Sequence, residues 1–234
     1  MYKNHPGKFF ALEVHSGFLE LSEKTRQSYV DEIDKQSSLN PNTTGTDDHS
    51  TWTGDVNNHS AAHLNPVFDE LFVCLKTILH EYCKDTGLNP DMLDFYVARS
   101  WGTKSKENQS IAPHAHSYSN ITVVYYPSVP NDSSPLIIEQ EDKMYPNEII
   151  PNLYSYESYE NGLLSKTHLS CARKIQIKPQ SDLYIVFPAK QPHHTSTGEN
   201  ELPRYSIAID VIVTLKETKN IEYALPPIKQ WAIV

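Results

Sequence analysis

"RYSIAIDVIVTL", residues 204–215, sets Ile207, Ile209, Val211 and Val213 against Ser206, Ala208, Asp210 and Thr214. A period of two marks a β-strand with one face more apolar than the other, because successive side chains leave opposite sides of the pleat. Strand-like runs, bounded by Pro, Gly, Asn and Ser clusters, recur in "LDFYVARSW" (93–101), "NITVVYY" (120–126), "PLIIEQ" (135–140), "RKIQIK" (173–178) and "DLYIVFP" (182–188). From Met92 onwards the chain is therefore expected to build a sheet structure of at least six strands.

The residues before Met92 carry the helical period instead. In "SEKTRQSYVDEIDKQ" (22–36), Ser22 is a candidate N-cap, and Tyr29, Val30 and Ile33 share a face. Over 66–84, Asn65 caps, Pro66 takes the first helical position, and Gly87 with Pro90 ends the run. Phe68, Leu71, Phe72, Leu75, Ile78, Leu79 and Tyr82 form an apolar stripe suited to lying across a sheet. Helices first and strands after predict a mainly β, α+β fold: a β-sandwich or jelly roll with its N-terminal helices packed on one face.

The length of 234 residues suits one domain with elaborations. The expected organisation over 1–234 is a helical part (1–91) with a polar loop (37–63, anchored by Trp52), a jelly-roll core (92–216) with a Tyr-rich insertion (141–170), and an apolar tail (217–234). A formal charge of −9 and the lack of any Lys/Arg cluster argue against nucleic acid as a partner. "MYKNHPGKFFALEV" lacks a long apolar segment after its lysines, and no run of the sequence could span a bilayer, so a soluble, cytoplasmic protein is expected. Cys74, Cys83 and Cys171 match no metal-finger or C-x-x-C pattern and read as reduced thiols.

Chemistry concentrates in two places. "APHAHSYSNITVVYY" (112–126) puts His114 and His116 one residue apart at the entry to a strand, where alternation can direct both imidazoles to one metal. "FPAKQPHHTSTGENELPRYS" (187–206) delivers His193 and His194 after a Phe-Pro turn, then Arg204 and Ser206. A neutral imidazole from the second stretch would complete a facial set of three ligands. Arg204 and Ser206, on one strand face, could hold a carboxylate by charge-assisted hydrogen bonds. In an extended segment only one of His193 and His194 can face the site, and His193 is the candidate by its distance from the turn. Of Tyr125 and Tyr126, likewise, one should face inward; Thr122 shares the parity of Tyr126. No G-x-S-x-G elbow, P-loop, dinucleotide fingerprint or H-E-x-x-H occurs.

Trp101, the H-x-H of His114 and His116, Tyr125-Tyr126, "LYIVFP", His193 and "RYS", in that order and spacing, resemble the double-stranded β-helix Fe(II)/2-oxoglutarate-dependent oxygenases, especially a subgroup common in marine phages and bacteria. The resemblance covers roughly residues 50 to 215 and implies a dioxygenase using Fe(II), 2-oxoglutarate and O2. It implies His114 and His193 as iron ligands, and Arg204 with Ser206 as the anchor for the distal carboxylate of 2-oxoglutarate, with Tyr126 and Thr122 beside them. Most of that superfamily has H-x-D or H-x-E, so His116 stands where a carboxylate ligand is usual. Ligation by His116 is the favoured reading, against a place beside a two-histidine site or weak metal binding. Trp101, Tyr154 and Tyr156 are the candidates on the substrate side. The expected outcome is hydroxylation of a small molecule, amino acid or protein side chain. The rivals are a cupin-type three-histidine dioxygenase without 2-oxoglutarate and a non-catalytic β-sandwich module. The sequence leaves oligomeric state open, a homodimer included.

Overall fold

A computed structural model describes residues 12–39, 61–107, 109–139, 160–163, 174–199, 201–218 and 220–233. Trp52, most of the 37–63 loop, and Tyr154 and Tyr156 of the Tyr-rich insertion lie outside the described residues.

Two antiparallel sheets make the body. The larger has the order β1 (His15–Phe18), β7 (Leu183–Pro188), β4 (Ile121–Ser128), β9 (Arg204–Leu215), β2 (Leu93–Ser105); the smaller has the order β3 (Ile111–His114), β8 (His193–Thr195), β5 (Leu136–Glu139), β6 (Lys174–Ile177). All six expected strands form, as β2, β4, β5, β6, β7 and β9, and three short ones are added: β1, β3 and β8. The mainly β, jelly-roll reading of the sequence is the observed fold.

The parity of β9 divides the molecule. Tyr205, Ile207, Ile209 and Val211 join Ile121, Val123 and Tyr125 of β4 in one core with the helices α1 (Glu23–Leu39) and α2 (Asp69–Asp85). The even-numbered residues point the other way, where Val124 and Tyr126 pack with Leu136 and Ile138 of the smaller sheet and with Leu183, Ile185 and Phe187. Helices therefore cover one face of the larger sheet and the smaller sheet covers the other, so its central strands are buried on both sides.

Both helices begin as their sequences predict. The Ser22 hydroxyl accepts from the Thr25 backbone N–H at 3.0 Å, and the Asn65 side chain accepts from that of Val67 at 3.1 Å. The 3-10 turn Pro66–Phe68 leads directly into α2, and Gly87 closes the helix with a left-handed φ of 84°. The helices are pinned together by Tyr29, fully buried, whose hydroxyl accepts from the Leu71 N–H at 3.1 Å. Among the described residues no helix is long and apolar enough to cross a membrane.

One local expectation needs correcting. His114 and His116 do not share a strand: His114 ends β3, and His116 lies in the link to β4, its N–H donating to the Ala189 carbonyl at 2.8 Å. The chain leaves the smaller sheet between them, which a period-two reading cannot register. The tail bonds to the body through Leu215 N–H and the Leu225 carbonyl at 2.9 Å, yet Tyr223 and Ile233 remain fully exposed and Trp231 half-exposed.

Candidate metal centre

Between the sheets lies a cavity walled by Trp101, Thr103, Ile111, Val124, Tyr126, Leu136 and Ala208, into which three histidines and Arg204 converge. His114 and His193 are cross-strand partners in the β3–β8 pair, which brings their ring centroids to 4.4 Å. His116 completes the group at 5.1 Å from His114 and 5.0 Å from His193. One ring nitrogen from each of the three lies within 4.8 Å of the others, a set able to hold a metal ion.

Hydrogen bonds fix which nitrogen is free. The Nδ1–H of His114 donates to the Ala112 carbonyl at 2.8 Å and that of His193 to the Gln191 carbonyl at 2.9 Å. A carbonyl only accepts, so in the neutral ring the lone pair must sit on Nε2. His116 follows the same rule with a different partner: its Nδ1 contacts Oδ1 of Asp210, with the Thr122 hydroxyl 3.2 Å away. Three Nδ1 atoms thus carry the protons and three Nε2 atoms carry the lone pairs. Burial reinforces this. Desolvation pushes the His114 imidazole below its ordinary range and the His193 imidazole down to about 3, which keeps both rings uncharged and ready to ligate. The donor set fits a divalent transition metal that accepts imidazole nitrogen.

Arg204 supplies the opposite chemistry. It is 2% exposed, and its Nη1 donates to the carbonyl and hydroxyl oxygens of Ser134, both at 2.9 Å, while Nη2 donates to the Ser105 hydroxyl at 3.0 Å. Nε has no hydrogen-bond partner among the described residues, and no described carboxylate pairs with the guanidinium. Burial lowers its pKa, offset in part by Tyr126, whose ring lies 6.0 Å from Cζ. A buried cation without a counter-ion is costly, so a carboxylate in the cavity would complete this end of the site. Ser206 faces the same space, hydrogen-bonded to its cross-strand neighbour Thr103.

Trp101, Tyr126, Arg204 and Ser206 all line the cavity with the three histidines. Thr122 does not; it lies behind His116, 3.5 Å from Asp210. His194 also borders the cavity but directs Nδ1 towards Glu139 at 3.7 Å and stays outside the three-nitrogen set. Ser105, Thr103 and Ser134 have no mark of function in the sequence. For Asp210 a signal exists in hindsight: it shares the cavity-facing parity of Arg204 and Ser206.

Comparison with known proteins gives the same direction. Residues 99–210 match the family described as "Putative 2OG-Fe(II) oxygenase". No curated protein sequence matches significantly. Among solved structures, a prolyl-4-hydroxylase from Pseudomonas putida is 11% identical, with 85% of this chain and 86% of that one covered at a TM-score of 0.50. HygX from Streptomyces hygroscopicus, with nickel and 2-oxoglutarate bound, is 12% identical over 86% of this chain and 82% of that one, TM-score 0.51. SnoN, a non-heme alpha-ketoglutarate-dependent epimerase from nogalamycin biosynthesis, is 11% identical over 89% and 82%, TM-score 0.50. Such identities speak for the fold, and the family match adds the sequence pattern laid over the cavity's own strands. Over residues 99–210 the chain is thus similar to the Fe(II)/2-oxoglutarate oxygenases, and it is an oxidoreductase whose cofactors are iron and 2-oxoglutarate.

Proposed function

We propose that the protein is a 2-oxoglutarate-dependent dioxygenase that hydroxylates a small molecule, an amino acid or a protein side chain, with release of succinate and CO2. His114, His116 and His193 hold the iron through Nε2, and Arg204, with Ser206 and Tyr126 beside it, receives the distal carboxylate of 2-oxoglutarate. The observation that carries this reading is the pairing, in one cavity, of three lone-pair nitrogens with a buried guanidinium that pairs with no carboxylate among the described residues. The bound iron and cosubstrate supply the oxidising chemistry; the chain supplies placement and a dry site. Arg204 orients one end of the cosubstrate towards the histidines. Val124, Leu136 and Ile111 exclude water, which strengthens each polar contact inside. Trp101, whose ring centroid is 5.6 Å from that of His116, borders the space left for a substrate.

Hydroxylation is the outcome named for the Pseudomonas relative and epimerisation that named for SnoN, so the fold alone leaves the outcome to the substrate. The unpaired thiols of Cys74 and Cys83 suit the cytoplasm. Anaerobic addition of Fe(II) and 2-oxoglutarate should raise the metal-to-ligand charge-transfer band, and admission of air should then yield succinate. Folded protein that takes up no metal would overturn the reading. A three-histidine dioxygenase independent of 2-oxoglutarate is favoured by the histidine set taken alone. It predicts that Arg204→Ala leaves turnover unchanged, the reverse of what is proposed here.

A further inference from the structure

Three neutral imidazoles bring a divalent metal no compensating charge. In a buried cavity this matters, because uncompensated charge is poorly tolerated away from water. The structure puts one carboxylate where it can act. Asp210 is 5% exposed, and its Oδ1 meets Nδ1 of His116, the nitrogen opposite the lone pair. It therefore touches the ring from behind and is not among the three groups that converge.

Its position is built into the sheet. Asp210 is the register partner of Thr122 in the β4–β9 pair, and the Thr122 hydroxyl lies 3.2 Å from His116 Nδ1 and 3.5 Å from Asp210 Oδ1. Carboxylate, hydroxyl and imidazole thus form one closed contact on two central strands and the link that carries His116. Asp210 is also the acidic group whose field bears on His114 and His193.

We propose that Asp210 is a positioning residue that holds the His116 ring and supplies, through that ring's hydrogen bond, the negative charge that three imidazoles leave out. The inference rests on His116 being an iron ligand. A carboxylate behind a ligating imidazole fixes its tautomer and makes it a better donor; losing such a partner typically costs about 10- to 100-fold in metal affinity.

The test separates charge from shape. Asp210→Asn keeps an oxygen to accept from Nδ1 and removes the charge. Anaerobic calorimetric titration with Fe(II) should show affinity about 10- to 100-fold weaker in Asp210→Asn than in the wild-type protein. The Fe(III)/Fe(II) midpoint potential should move positive, since the ferric state loses more from the missing charge. Asp210→Glu should keep a potential nearer the wild-type value. A purely structural role would leave the potential in place, so wild-type affinity and potential in Asp210→Asn would overturn the proposal. If that variant is not recovered folded, Asp210→Ser makes the same comparison with a smaller uncharged group. His116→Ala distinguishes the levels: undiminished Fe(II) binding there would remove His116 from the ligand set and this inference with it. Wild-type protein that takes up no Fe(II) would remove the whole metal reading.

Discussion

Arg204, on the larger sheet, donates from Nη1 to the carbonyl and hydroxyl oxygens of Ser134, each at 2.9 Å, at the approach to β5 of the smaller sheet. The guanidinium is held in place before any ligand arrives, and its Nε has no hydrogen-bond partner among the described residues. Arg204→Met keeps much of the volume and removes the charge. In the presence of metal, 2-oxoglutarate affinity should fall by about 2–5 kcal/mol, the range for truncating one member of a buried charge pair. The metal-free variant should melt close to the wild-type protein, because the loss of three hydrogen bonds to Ser134 and Ser105 is offset by the loss of a buried cation that pairs with no described carboxylate. Thermal melts check both: metal plus 2-oxoglutarate should raise the wild-type Tm by mass action and leave that of Arg204→Met near its metal-only value.

The same burial makes the metal-free protein sensitive to acid. His193 is pushed from an ordinary 6.5 down to about 3 in the fold, and His114 is lowered too, by desolvation in both cases. Between those limits the unfolded chain binds protons that the folded chain refuses, so stability rises with pH. This contribution is full above pH 6.5 and is lost as pH falls from there towards 3. Urea denaturation of metal-stripped protein at pH 7.5 and pH 5 should show the loss, and His193→Asn should flatten the dependence.

Much of this was legible in residues 204–215. One alternating strand announced both the helix-facing set, Ile207, Ile209 and Val211, and the cavity-facing set, Arg204 and Ser206. The strands that stayed hidden are β1, β3 and β8, of four, four and three residues, too short to display a period against their flanks. Two of them carry or flank the histidines. That is why the H-x-H was read as one strand when its residues belong to a strand end and to the link that follows. The partner of His116 was equally out of reach: the contact with Asp210 spans 94 positions and depends on the register of β4 against β9. Local pattern gives which face a residue takes; which residue of another strand it meets is a matter of register.

Register also ties the start of the chain to the turn before β7. Asp182, with a left-handed φ of 73°, accepts from the Glu20 N–H at 2.6 Å and the Tyr125 hydroxyl at 2.8 Å. Burial and the neighbouring carboxylate push the Tyr125 hydroxyl far up, so it stays a donor. Tyr125→Phe should cost about 1.5–3 kcal/mol, the value of a hydrogen bond to a charged group. Because Tyr125 faces the helices, Fe(II) titration of the variant should match the wild-type protein while its denaturant midpoint falls.

The close seat of α1 on the larger sheet depends on Gly102 of β2. A Cβ at that position would come within 2.6 Å of Cγ1 of Ile33, a side chain that is fully buried and has no room to retreat. Gly102→Ala should destabilise by about 1–3 kcal/mol through overpacking. Ile33→Ala alone should cost about 2–5 kcal/mol through the cavity it leaves. The double variant should cost less than the sum, because the new methyl enters the vacated space, and a double-mutant cycle from urea midpoints reads that coupling. Gly102 sits between Trp101 and Thr103, which line the cavity on the opposite face. If the sheet gives way in place of Ile33, the strain reaches Thr103 and its partner Ser206, and 2-oxoglutarate affinity falls in Gly102→Ala and recovers in the double variant.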